Sequence, residues 1–385
     1  MSSFVRIHFS SASLLHQQHQ HPLLHRSPSL SVLVSVLSRG SHSMEDTIPE
    51  STVVSNLQQW LADDPTKLQR VLDSAGFAVF DGGFGREFCE AARDEIRALF
   101  DADMLKVSGN KLIGTKVAPD DATHPQHVLL KPQVLERDIV LNAHTTCAEA
   151  WPLAPALHRF FELECPALTA VFNQYYPSLR LRGLNQFKVQ LNTGDGGCFP
   201  LHYDTSTATS DRELTLVLYL NPLWTADDHG EVRLLPFPFA PVDVPPLFDR
   251  FVVFCSHTML HRVLPSFARS RYCLSLWFGG EPHGFPAELP VPRDFQPLLA
   301  FLNKPQNRMV LSKIIYRQEW ERSLYECFGR SEQVADAVAQ YNREVTKLES
   351  RVNPSLLALL KEHLPLAFPL ELPIISLRRD SDEAT

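Results

Sequence analysis

No apolar run in this 385-residue chain approaches the ~20 residues that a membrane-spanning helix requires. Nor is there a long cluster of lysine and arginine, and the formal net charge is -8. The electrostatic footprint of a nucleic-acid binder is therefore missing, and the sequence predicts neither a membrane span nor a nucleic-acid partner. The seven cysteines are scattered and contain no CxxC pair, which predicts neither a zinc knuckle nor a disulfide framework and favours a reducing, intracellular compartment. Acidic residues are absent from Met1 to Met44, where Arg6, Arg26 and Arg39 stand among many serines. That composition suits three readings: a transit peptide for a mitochondrion or chloroplast, a disordered extension, or sequence upstream of a true start at Met44. The histidines of this stretch, such as His16, His19 and His21, are irregularly spaced, which fits solvated side chains better than a metal-binding tract.

What is present belongs to an ordinary globular protein: 44% hydrophobic, 21% charged and 10% aromatic residues. The length suits roughly two domains, or one enlarged domain with extensions. Gly76 to Phe80 reads as a short strand, Asp81-Gly82-Gly83 as a turn, and Glu87 to Phe100 as an amphipathic helix with Phe88, Ala91, Ala92, Ile96 and Leu99 on its buried stripe. Residues 103 to 150 mix proline, histidine and short apolar runs without sustained period, which predicts a long irregular connection and a candidate lid. From Gln186 the texture becomes that of short strands between turns: FKVQL, ELTLVLYL, EVRLLPF, RFVVF and YCLSLWF. Strands so closely spaced imply a sandwich or barrel. Beyond Pro282 three helices are predicted, in KIIYRQEWERSLYECFGR, SEQVADAVAQYNREVTKLESRV and NPSLLALLKEHL.

The fold class expected is thus α+β with a mainly β core, a double-stranded β-helix or jelly roll with N-terminal helices and a C-terminal helical extension. Its parts are residues 1–43 as the extension, 44–183 as the N-terminal helical and strand part, 184–280 as the jelly-roll core, and 281–385 as the C-terminal helices.

In LHYDT, His202 and Asp204 are two residues apart and would share one face of a strand. A further histidine, His261, follows RFVVF, and the strands of a jelly roll can return it to the same pocket. Two histidines and one carboxylate on one side of an iron leave three positions for cosubstrate and oxygen. Arg271 opens the strand RYCLSLWF, where a guanidinium fork suits a bidentate grip on a carboxylate. Arg262 and the Asp249-Arg250 pair read as structural. With 16 histidines in the chain an HxD pair alone is weak, and it gains weight from Arg271.

The runs LTLVLYLNPLWTADDHGEVRLLPF and FDRFVVFCSHTMLHRVLPSFARSRYCLSLWF resemble the catalytic core of the prolyl 4-hydroxylases that modify the hypoxia-inducible transcription factor. A tyrosine before Leu-Asn, a tryptophan in the next loop, a histidine with a V-x-P turn and an arginine then a strand follow in the family's order. The segment GFAVFDGGFGREFCEAARDEIRALF resembles the strand and helix that open that family's catalytic domain. The resemblance implies His202, Asp204 and His261 as iron(II) ligands, Arg271 and Tyr219 as partners of 2-oxoglutarate, and O2 as second cosubstrate with ascorbate as reductant. His257 competes as distal ligand, but only His261 is followed by Val263 and Pro265 of the family pattern. Two departures stand out: Gly230-Glu231 replaces a glycine pair, and Asn192 stands where the family carries a tyrosine. The implied activity is hydroxylation of a C–H bond, foremost in a peptidyl proline, with succinate and carbon dioxide as coproducts and a protein or peptide as substrate. Rival readings are an oxygenase acting on a small molecule or another side chain, and a non-catalytic jelly-roll binding module. The C-terminal helices fit either packing on their own domain or a dimerisation or partner surface. Oligomeric state is not legible.

Overall fold

The computed structural model of the chain describes residues 52–112, 127–141, 145–205, 211–281, 302, 304–363 and 374–377. The readings made for residues 1–43 lie outside them. Two short helices come first, α1 (Thr52–Trp60) and α2 (Lys67–Ala75), and Gly76 ends α2 at a φ of 81°, which a side chain would strain. Strand β1 (Phe77–Asp81) and helix α3 (Arg86–Asp101) occupy the positions that alternation and helical period predict. Next come β2 (Lys106–Leu112), β3 (His127–Leu141), the two-residue β4 (Thr145–Thr146), and α4 (Pro155–Arg159) joined through a π turn to α5 (Cys165–Tyr175).

Eight further strands build the core: β5 (Gly183–Asn192), β6 (Gly197–His202), β7 (Arg212–Tyr219), β8 (Val232–Leu235), β9 (Val242–Val244), β10 (Arg250–Cys255), β11 (Leu260–Ser266) and β12 (Arg271–Gly279). They form two sheets, ordered β1-β10-β7-β12-β5-β3-β2 in the larger and β6-β11-β8-β9 in the smaller. A last strand, β13 (Ile374–Ser376), pairs parallel to β1, whereas the strands of the core pair antiparallel. The inner faces of the sheets share a core of Phe77, Val79, Val252 and Phe254 from one and Val232, Leu234 and Val244 from the other. This is the jelly-roll arrangement. Helices α1, α2, α3 and α5 cover the outer face of the larger sheet through Leu57, Leu72, Ile96 and Phe172.

Among the described residues, helices α6 (Pro305–Ile315), α7 (Arg317–Phe328), α8 (Glu332–Glu349) and α9 (Pro354–His363) follow the core. Leu311, Trp320, Leu324, Val338 and Leu357 pack them on Leu201, Leu235 and Leu260 of the smaller sheet. Where the sequence predicts one helix through KIIYRQEWERSLYECFGR, the chain breaks at Tyr316 into two, so that α6 and α7 can each turn an apolar face to this core.

Among its described residues the stretch read as an irregular lid is instead largely paired, because β2 and β3 form an antiparallel pair on the edge of the larger sheet. Its register jumps between Val107↔Leu135 and Ser108↔Lys131, leaving Pro132 in a bulge that needs no ladder donor. Of the stretch 103 to 150, residues 113–126 and 142–144 lie outside the described residues. The scattered cysteines also gave a wrong expectation in one place. Cys198 of β6 and Cys327 of α7 are joined, with Cα atoms 5.4 Å apart, while Cys89, Cys147, Cys165, Cys255 and Cys273 are free and buried.

Candidate metal and carboxylate site

The antiparallel ladder sets His261 of β11 directly opposite His202 of β6, and their ring centroids are 4.3 Å apart. Neither strand is among the five runs read from strand texture, and β6 is expected only as the strand carrying His202: Pro200 and Gly197 in one, Arg262 and Pro265 in the other, hide the alternation. Asp204 does not lie on the strand, which ends at His202, but in the bend just after it, and so reaches back toward both rings. Its Oδ1 is 3.4 Å from His202 Nε2 and 3.6 Å from His261 Nε2. One ligand atom from each of the three residues lies within 4.8 Å of the other two, a group able to hold a metal ion.

Backbone carbonyls choose the tautomer. His202 Nδ1 lies 2.8 Å from Pro200 O and His261 Nδ1 3.1 Å from Met259 O. A carbonyl can only accept, so each ring donates its Nδ1–H and, in its neutral form, presents an unprotonated Nε2 to the centre. Asp204 is held in the same manner, since the Thr215 hydroxyl donates to Oδ2 over 2.8 Å and leaves Oδ1 to face the histidines. Ser256 Oγ backs Thr215 at 2.8 Å. Burial raises the Asp204 carboxyl, but the His261 and His202 rings outweigh burial whenever they carry protons, and the group is then held far below the usual carboxylate range. Burial, with His202 beside it, pushes the His261 imidazole down to about 4. The donor set of two neutral imidazoles and one carboxylate on one side suits iron(II) with positions left open.

Arg271 enters from β12, the neighbour of β7, and is 3% exposed. Its Nε–H donates to Gly230 O at 2.9 Å, and the guanidinium carbon stands 5.1 Å from the centroid of the Tyr219 ring. Gly230 is required there: at a φ of 80°, a Cβ would come within 2.8 Å of Ser266 Oγ and 3.1 Å of Arg271 Cδ. Burial raises the Tyr219 hydroxyl well above its ordinary range, so it remains a hydrogen-bond donor. Arg271 and Tyr219 thus form a buried cation and a neutral donor, a pair fitted to a carboxylate.

Two residues considered from the sequence stand elsewhere. His257 is turned to Glu213, with Nε2 2.9 Å from Oε2, and is absent from the three-residue group. Asn192 closes the β5–β6 turn, donating to Gly197 O at 2.7 Å and accepting from Gly194 N–H at 3.0 Å. The pairs read as structural are so: Asp249 accepts the amides of Phe84 and Gly85, and Arg250 forms a fork with Asp81.

Thr215 and Arg212 were missed. Arg212 donates to Asp204 O at 3.1 Å and lies over the Trp277 ring, 4.4 Å from its centroid. The period-2 pattern of RELTLVLY places Thr215 and Tyr219 on one face, the signal that could have drawn attention to Thr215.

The model of the 2OG-Fe(II) oxygenase superfamily matches residues 187–279. Prolyl hydroxylase EGLN3 from Mus musculus is 34% identical over 108 residues, covering 27% of this chain and 43% of that protein. The protein of the same name from Homo sapiens is 32% identical over 108 residues. The chain therefore spans less than half the length of the curated relatives it matches. Among solved structures, prolyl 4-hydroxylase from Phytophthora capsici is similar at 28% identity and a TM-score of 0.59, over 80% of this chain and 93% of that one. The core resembles a 2-oxoglutarate and iron(II) oxygenase of the prolyl-hydroxylase kind.

Proposed function

We propose that the chain is an iron(II)- and 2-oxoglutarate-dependent dioxygenase that hydroxylates proline in a protein or peptide. The observation that carries the reading is the convergence of His202, Asp204 and His261 on one point, with Thr215, the partner of Asp204, sharing a face of β7 with Tyr219, and Arg271 beside Tyr219. The three ligating side chains would hold iron(II) through Nε2, Oδ1 and Nε2. Arg271 and Tyr219 would receive the distal carboxylate of 2-oxoglutarate, the guanidinium by charge and the phenol by its hydrogen. With O2, the bound iron and keto acid supply the oxidation, yielding succinate, carbon dioxide and one oxygen atom transferred to a substrate C–H bond. The chain's part is orientation and exclusion of water: a cosubstrate fixed at both ends presents one geometry to the substrate. The prolyl assignment is supported by the names of the relatives, the EGLN3 prolyl hydroxylases and the Phytophthora capsici prolyl 4-hydroxylase. A proline-containing segment also costs less to order, since its φ is already fixed.

The test is incubation of the purified chain with iron(II), ascorbate and 2-oxoglutarate, with and without proline-containing peptides. Succinate formation stimulated by a peptide, with one oxygen gained on its proline by mass spectrometry, is the expected result. Oxygen found only on other residues or on small molecules would retire the prolyl reading and keep the iron site.

Three variants examine the geometry. Thr215→Val keeps the shape but releases Asp204 Oδ2, and cobalt(II) affinity measured by calorimetry is expected to fall ~10-fold, the size usual for a partner behind a metal ligand. His257→Gln should leave that affinity unchanged, while His261→Gln should abolish binding at the same concentrations. Equal loss in both would assign His257 to the site.

A further inference from the structure

We propose that Arg262 is a positioning residue for the metal site, one of the contacts by which α6 and α7 clasp the two ligand strands. The inference rests on the iron-site reading above. Arg262 follows His261 on β11, so strand alternation sends its side chain to the opposite face, away from the metal and into the C-terminal helices. There it is fully buried. Its NH1 donates to Glu319 Oε1 at 3.1 Å and its NH2 to Glu326 Oε2, both carboxylates belonging to α7.

The other ligands are fastened to the same helices. The Leu201 amide, one residue before His202, donates to Ser323 Oγ of α7 at 3.0 Å. Cys198, earlier on β6, is joined to Cys327 of α7. Tyr203, between His202 and Asp204, has its hydroxyl 2.6 Å from Ser312 Oγ of α6. Each proposed ligand thus has an immediate chain neighbour anchored to α6 or α7.

Apolar packing alone would hold the helices on the sheet, as Trp320, Leu324 and Leu201 already do. A buried guanidinium forked between two carboxylates adds something different. Buried ion pairs often contribute little to stability compared with apolar replacements, yet they fix one relative placement because both partners must stay in hydrogen-bonding position. The register so fixed is that of β11 against α7. Since Leu201 and Cys198 fix β6 against the same helix, the separation of His261 from His202 is set from behind.

The test uses the full chain and cobalt(II), with affinity by calorimetry, coordination by the visible absorption of the bound ion, and melting of the metal-free protein in parallel. Arg262→Met combined with Glu319→Gln and Glu326→Gln removes the charges together. Expected is a cobalt(II) affinity lower by roughly 10-fold, with an altered absorption spectrum, while melting of the metal-free chain moves little. Glu326→Gln alone lies at the less buried end of the fork, retains the fold if the triple variant does not, and should give a smaller loss in the same direction. Arg262→Lys keeps one charge but not the fork, and should fall between wild type and the triple variant. Wild-type affinity and spectrum in the folded variants, with only the melting temperature lowered, would overturn the clasp and leave the iron site standing. Failure of the wild-type chain to bind cobalt(II) would overturn both.

Discussion

Alanine at His202 or at Asp204 should reduce iron-dependent succinate formation from 2-oxoglutarate by more than ~100-fold, because loss of an outer partner alone typically costs 10–100-fold and these side chains are proposed to touch the metal. Each occupies a different place in the site. His202 ends β6 and offers one Nε2, whereas Asp204 supplies, among the described residues, the carboxylate within reach of both histidines. Neither change removes a large part of the apolar core. His202 and Asp204 stand at the edge of the smaller sheet, whose packing rests on Leu201, Leu235 and Leu260. Circular dichroism and melting of the metal-free variants should therefore stay near wild type while turnover is lost. Retained succinate formation in either folded variant would remove that residue from the proposed ligand set.

The second large effect is expected from Arg271→Ala. A charge-assisted hydrogen bond contributes about 1.5–3 kcal/mol, so losing this contact should raise the KM for 2-oxoglutarate by roughly 10- to 150-fold. Iron affinity should be nearly unchanged, since Arg271 stands beside Tyr219 and Gly230 rather than beside the ligating atoms. The change also vacates a buried volume and leaves Gly230 O without its donor, so Arg271→Lys is a useful companion. Lysine retains the charge but loses the planar fork, and its KM should lie between those of the alanine variant and the wild type. A normal KM in both variants would move the cosubstrate contact elsewhere.

Much of this arrangement was legible in the sequence where one residue decides one local fact. FKVQL, ELTLVLYL, RFVVF and YCLSLWF alternate or run apolar over a full strand, and β5, β7, β10 and β12 lie there. The pairing of His202 with Asp204 was visible as spacing, although a shared strand face was the wrong geometry for it: the strand stops and the bend supplies the carboxylate. Strands β6 and β11 were harder, because GCFPLH and LHRVLPS each carry a proline, and their pairing is dictated by neighbours far away in sequence. The same holds for β3, which tolerates Pro132 through a bulge. Least legible were contacts that exist only once the fold has closed. Arg262 reads as an ordinary charge beside a histidine, and nothing in its surroundings names Glu319, Glu326 or the pairing of Cys198 with Cys327.

The central claim, a metal ion and 2-oxoglutarate held in one pocket by these five side chains, is tested most directly by sequential calorimetric titration under anaerobic conditions. The account predicts that one iron(II) binds per chain, and that one 2-oxoglutarate then binds to the iron-loaded protein but far more weakly to the metal-free protein or to Arg271→Ala. Iron binding with no 2-oxoglutarate binding to the loaded wild-type chain would contradict it.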